Sequence, residues 1–139
     1  MILSYTLPNA ETLICSDLKK HSLRKDPKNR WKKGRFIQHS TGVRTNHYRC
    51  FYVNVCSGVE QIAIMYDGEG SPNAVIVENQ ILSCEEIAAM ALNDGFFCED
   101  DFWNWFKKDS TLITANEKKS RVWVGKIIHW TDLRYGKKG

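Results

Sequence analysis

The chain lacks most of the features that would assign it at once. It has three Pro in 139 residues and no Gly-, Pro- or Ser-rich tract, which excludes a linker-like or low-complexity protein. No internal repeat is found, so solenoids and propellers are excluded. No apolar run reaches the ~20 residues of a membrane-spanning helix, and no membrane partner is expected. Met1-Ile2-Leu3-Ser4-Tyr5 shows no basic segment leading into an apolar stretch, so no signal peptide is expected. Cys15, Cys50, Cys56, Cys84 and Cys98 form no C-x-x-C pair, and the four His are scattered. No metal site and no cofactor are expected from such a pattern. An odd cysteine count without a secretion signal points to free thiols in a reducing compartment, and so to the cytoplasm.

What is present is an ordinary globular composition, 42% apolar and 26% charged. The length argues for one domain over residues 1–139, monomeric, with 136–139 as a flexible basic tail. Charge is unevenly spread. Residues 19–35 carry nine Lys or Arg and one acid, residues 118–139 seven bases and one acid, and residues 84–101 six acids and no base. A surface polarised in this way steers polyanions. A basic run is also what a solvated loop looks like.

Pro8-Asn9-Ala10-Glu11 opens a short helix with Leu13, Ile14 and Leu18 on its apolar face. Residues 21–24 read as extended, 25–35 as a basic loop, Phe36–Ser40 as a strand and Thr41-Gly42 as a turn. Cys50–Tyr66 reads as one or two strands, Asp67–Asn73 as a turn and Ala74–Val77 as another strand. Ser83-x-x-Glu86 is a capping box opening a helix that Gly95 ends. A second helix carries Glu99, Asp100 and Asp101 at its start and Lys107 and Lys108 at its end, as the macrodipole favours. Its Phe102, Trp105 and Phe106 share one face and read as core. Arg121–Trp130 is a long strand with Trp123, Gly125, Ile127 and His129 on one side and Val122, Val124, Lys126, Ile128 and Trp130 on the other. This order predicts an α+β fold, a small mixed β-barrel flanked by three short helices.

Four segments hold groups that could do chemistry. In Lys19-Lys20-His21-Ser22-Leu23-Arg24, a desolvated Lys19 could act as base toward Ser22, although K-x-x-S also arises by chance. Asp94 continues an apolar helix face at the negative end of the helix, so it is either a local cap or a functional carboxylate. Thr41-Gly42-Val43-Arg44-Thr45 offers backbone N–H groups and a guanidinium to a phosphate or base edge, or is a plain hairpin turn. In Ile128-His129-Trp130-Thr131-Asp132-Leu133, His129 reads as a core or rim residue and a candidate ligand contact.

Together these segments resemble the ASCH family of PUA-like domains. The family pattern G-x-K-x-x-[TS]-x-R is matched by Lys19, Ser22 and Arg24, with Asp17 in place of the Gly. The run continues with Arg30-Trp31-Lys32-x-Gly34, Thr41-Gly42-Val43-Arg44-Thr45, Asp94-Gly95-Phe96, the Trp103–Phe106 helix and Ile128–Leu133 with Tyr135. The resemblance implies a PUA-like barrel with a cleft beside Lys19–Arg24 that binds RNA or a nucleotide. It also implies an alternative, the amidohydrolase branch acting on N4-acetylcytidine, with Lys19, Ser22 and Asp94 standing for that branch's Lys, Thr and Glu. A ribonuclease branch would use His21 and His129, which nothing in the sequence brings together. As a binding module the chain would use Lys19, Arg24, Lys32 and Arg44 on phosphate and Trp31 to stack a base of single-stranded RNA or a modified nucleotide. A protein adaptor using the acidic segment 84–101 is a third possibility.

Overall fold

The computed structural model describes residues 1–6, 9–67 and 73–136. The proposed helix start at Pro8, most of the 67–73 turn and the tail at 137–139 lie outside them. The fold of the described residues is mixed α+β, mostly sheet with three short helices. In chain order the elements are β1 (Ile2–Tyr5), α1 (Ala10–Cys15), β2 (His21–Arg24), β3 (Phe36–Thr41), β4 (Arg49–Val55), β5 (Gly58–Asp67), β6 (Ala74–Val77), β7 (Gln80–Ile81), α2 (Cys84–Asn93), α3 (Glu99–Lys107), β8 (Thr111–Ala115) and β9 (Lys118–His129).

β9 organises the molecule. β5 pairs with it antiparallel from Gly58↔His129 to Asp67↔Ser120. Its other edge is shared in succession by β8, which covers Lys118–Val122, and β2, which covers Lys126–His129. Trp123 to Gly125 therefore has no ladder partner on that edge among the described residues. Alternation along β9 sends Trp123 and Ile127 into a core beneath α2 and α3, with Ile62, Ile64, Val75, Val77, Met90, Phe102 and Phe106. Ile128 points the other way, into a second core with Leu3, Tyr5, Ile14, Trp31, Ile37 and Cys56. That core is closed by the small sheet β1-β3-β4, in which β1 runs parallel to β3.

The expected closed barrel is not formed: strand pairing gives two open sheets. β1 and β2 approach each other, but a side chain spans the gap in place of a backbone ladder. Arg24 Nη2 donates to Ser4 O at 2.5 Å. α2 is fixed as its sequence requires. The Ser83–Glu86 capping box is complete, a device worth about 1 kcal/mol. At its other end Gly95, at φ 96, allows the turn in which Phe96 N–H donates to Ala91 O and Gly95 N–H to Leu92 O. This turn sets the direction of Asp94.

Candidate functional site

The break in the edge of β9 and the gap between β1 and β2 open into one cavity of ≈ 270 Å³. Its walls include Ser4, Tyr5, Lys19, Ser22, Arg24 and Asp94, with Trp105, Phe106 and Trp123 on the aromatic side. Four residues singled out in the sequence, Lys19, Ser22, Arg24 and Asp94, thus share one hollow.

Lys19 reaches it through the end of α1. Asp17 adopts φ 62, and Leu18 and Lys19 N–H both return to Leu13 O, which tucks the chain back under the helix. Lys19 is 1% exposed. Its Nζ donates to Asp94 O at 2.6 Å and to Asp94 Oδ1 at 3.2 Å. The ammonium therefore meets the negative end of α2 and its terminal carboxylate together, which accounts for an Asp where the macrodipole disfavours one. Asp94 is the C-cap residue of α2, and its carboxylate turns to Lys19 and His21. Burial holds the Lys19 ammonium below its ordinary pKa, against the opposing pull of Asp94.

His21 donates from Nδ1 to Asp94 Oδ1 at 3.1 Å, and its Nε2 accepts from the Tyr135 hydroxyl at 2.6 Å. Asn93 Nδ2 in turn donates to that hydroxyl at 3.2 Å. Burial lowers the His21 pKa, and this bonding suits the neutral ring. His129 is adjacent: β2 pairs His21 with His129, and the ring centroids lie 5.5 Å apart. The sequence had not brought these two together. Both are fully buried and neither lines the cavity, so they are not placed as an acid–base pair on a phosphate chain. His129 Nε2 donates to Glu60 Oε1 at 2.7 Å, while Tyr135 and Gly136 N–H also hold that carboxylate. Burial pushes Glu60 up, and these hydrogen bonds outweigh it, leaving the carboxyl below its ordinary pKa. His129, expected as a core or rim residue and a candidate ligand contact, is fully buried and does not line the cavity.

Ser22 Oγ accepts from Arg24 Nε at 3.0 Å. The Arg24 and Lys19 cations stand 5.2 and 5.6 Å from the Tyr5 ring centroid. Tyr5 hydroxyl donates to His39 Nδ1 at 2.7 Å, and His39 Nε2 donates to Asn54 Oδ1 at 2.8 Å. Sequence reasoning passed over Tyr5, His39 and Glu60 as site neighbours, and named Tyr135 only as part of the closing motif.

The remaining candidates lie elsewhere. Trp31, expected as a stacking ring, is 7% exposed and packed in the second core, with one edge lining a separate hollow beside Lys25, Lys28 and Arg30. Lys32 is exposed on the loop, away from the cavity lining. Thr41, Gly42, Arg44 and Thr45 form a turn closed by Thr45 Oγ1 donating to Gly42 O at 2.6 Å, and none of them lines the cavity. Trp105, read as core, is instead 38% exposed and lines the cavity. Among the described residues no cluster of three or more His, Cys, Asp or Glu could hold a metal ion, and no helix is long and apolar enough to cross a membrane.

His39 yields a pH prediction. Burial, aided by the Lys19 and Arg24 charges, lowers its pKa to about 4, against the Asn54 hydrogen bond. The unfolded chain, with an ordinary His pKa near ~6.5, then binds the proton more readily than the folded one. Stability from this group is complete above the unfolded value and is lost as pH falls toward 4. Between pH 7 and 5 the loss is about 2 kcal/mol. Urea titrations at both pH values should show the His39→Gln variant losing that much less than the parent. Equal losses in the two proteins would remove His39 as the cause.

Compared with protein-family profiles, curated proteins and solved structures, the chain matches none.

Proposed function

We propose that this chain is a PUA-like, ASCH-type module that binds a nucleotide, or one base of a single-stranded RNA, in the cavity between β1 and β2. The observation that carries the reading is the lining itself. Two cations, Lys19 and Arg24, and the acceptor Asp94 converge beside the rings of Tyr5, Trp105 and Trp123. Pockets for small ligands combine an apolar or aromatic wall with a few fixed polar groups, and ~300 Å³ is the lower end of their size range. Cations suit a phosphate or a carbonyl oxygen, and aromatic faces suit the π-face of a base. The ASCH resemblance gains support at Asp17. That position carries Gly in the family pattern, and here its backbone adopts the positive φ that Gly supplies. Exposed Lys25, Lys28, Arg30, Lys32, Lys33 and Arg35 follow on the same loop and provide the charge that draws in a polyanion.

The test is fluorescence anisotropy with labelled single-stranded pentaribonucleotides at rising salt. Affinity should fall with salt. Arg24→Ala should weaken binding about 10-fold or more, the size of a lost charge-assisted hydrogen bond. Absence of binding by the parent, or unchanged affinity in Arg24→Ala, would overturn the reading.

A second reading, hydrolysis of an N4-acyl amide of cytidine, is favoured by Lys19, Ser22 and Asp94 lining one cavity. Among the described residues, however, Lys19 bonds to Asp94 and Ser22 to Arg24, with no hydrogen bond between Lys19 and Ser22. Activation of Ser22 would require that arrangement to open. Incubation with N4-acetylcytidine followed by mass spectrometry decides it: acetyl loss with the parent but not with Ser22→Ala establishes turnover.

A further inference from the structure

We propose that the hollow on the far side of Trp105 is a second subsite, taking the neighbouring base of a single-stranded ribonucleotide chain whose first base occupies the Lys19/Arg24 cavity. This inference rests on the nucleotide reading of that first cavity. It turns the substrate class from a free nucleotide into a short strand.

The second hollow has the same volume as the first, ≈ 270 Å³. The two share a wall. Trp105 lines both, and Gly95, which lines the second, follows directly on Asp94, which lines the first. A Cβ placed on Gly95 would stand 3.3 Å from Lys19 Cδ, so Lys19's stem packs against the same short stretch of chain. A chain leaving the first cavity past Trp105 meets the second at once.

The lining also has the character of a base site. Phe97 is 74% exposed and Trp105 38%, two aromatic rings in the wall of one hollow. Single exposed apolar residues are ordinary on a protein surface, whereas paired aromatics around a concavity mark a contact site. Asp101, Asn104, Trp105 and Lys108 recur at helical spacing beside the buried Phe102 and Phe106, forming an exposed stripe that continues past the end of α3. Lys108 Nζ lies 5.7 Å from the Trp105 ring centroid, a cation at the rim where a phosphate would pass. Asn104 and Asp101 offer an amide and a carboxylate to base edges. Aromatic rings with a flanking cation are the pattern that holds successive bases of a single strand.

The experiment compares ribonucleoside 5′-monophosphates with homopolymeric pentaribonucleotides by isothermal titration calorimetry, using the parent protein, Phe97→Ala with Lys108→Ala, and Arg24→Ala. Phe97 and Lys108 are exposed, so their replacement leaves both cores intact. The expected result is a pentanucleotide that binds about 10-fold or more tighter than the monophosphate, the scale of one stacked base. In the Phe97→Ala/Lys108→Ala protein that advantage should vanish while monophosphate affinity stays unchanged. Equal affinity for the two ligands, or an advantage that survives the double substitution, overturns the second subsite and leaves the first cavity standing. Failure of the parent to bind any monophosphate or pentanucleotide overturns both. Pentanucleotide binding lost in Phe97→Ala/Lys108→Ala but untouched in Arg24→Ala overturns the first cavity and, with it, the two-base arrangement.

Discussion

Lys19→Met should destabilise the fold by about 3–5 kcal/mol, and Lys19→Met combined with Asp94→Asn should recover part of that loss. The side chains of Lys19 and Asp94 are 1% and 4% exposed. Two charges removed from water in this way lose hydration that their attraction only partly restores. Removing one partner is worse, because the other stays buried without a counter-charge. His21 would still donate to Asp94, but burial holds that ring toward its neutral form. Met keeps most of the Lys19 stem in place, so the cost reports the charge more than the packing. Changing Asp94 to Asn in the same protein removes the stranded carboxylate while retaining an oxygen for His21. Urea unfolding of parent, single and double variants gives the coupling directly. Additive effects, with each single variant costing under about 1 kcal/mol, would show that the pair is neither buried nor interdependent in solution.

A buried ion pair is poor evidence for stability, since apolar residues of similar volume often serve as well or better. This pair makes chemical sense as part of a wall. Its two groups line the cavity together with Arg24, and Lys19 also satisfies the carbonyl at the end of α2. The same contact that fixes the helix end presents a cation and a carboxylate to whatever enters. β2 stops at Arg24 and β8 begins at Thr111, opposite Val122, which leaves Trp123–Gly125 without a ladder partner on one edge of β9 among the described residues, and Trp123 of this stretch lines the cavity. Gly125 is required there: a Cβ would come within 2.4 Å of the Trp123 ring and 2.6 Å of Arg24 O.

The parts of this arrangement that were legible in the sequence are those written in local chemistry. The capping box and Gly95 mark both ends of α2, and the alternation along 121–130 correctly divides β9 between two cores. The strands β1, β7 and β8 were not legible. β1 is four residues long and gains its ladder from β3, more than thirty positions on in the sequence. β7 and β8 each join a neighbouring strand through two residues at positive φ, Glu78-Asn79 and Asn116-Glu117. Neither turn contains the Gly that normally announces such a hairpin. At the site, Lys19, Ser22 and Arg24 were visible because they fall close together along the chain. Their meeting with Asp94 depends on the positive φ of Asp17 and on the turn after α2, and no periodicity encodes that meeting. Closure into a barrel was overread, because a count of strands does not reveal that Arg24 bridges to Ser4 by its side chain.

Trp31 is the residue on which the sequence and the structure disagree most, and its replacement separates the two. In a basic loop flanked by Arg30 and Lys32, a tryptophan reads as a ring waiting for a base. Here the ring is buried in a core with Leu3, Ile37 and Ile128. The loop around it is fastened by Asp26, whose carboxylate accepts from Arg30 N–H and Trp31 N–H at 2.9 Å each and from Lys126 Nζ at 3.1 Å. Burial raises the Asp26 pKa, and these three donors together bring it below the ordinary carboxylate value. Trp31→Ala should therefore cost about 3–5 kcal/mol, the usual range for emptying a core of so large a ring. The expected signature is a lower urea midpoint and, under the proposed nucleotide-binding function, a folded fraction that binds single-stranded pentaribonucleotides as the parent does, with the same salt dependence. A stacking ring would give the reverse, an unchanged midpoint and weaker binding. Trp31→Phe should fall between parent and Ala in stability, because it restores most of the ring volume to the core without restoring the indole. If Trp31→Phe instead keeps the parent's midpoint while losing affinity, the ring faces the ligand and its assignment to the core fails.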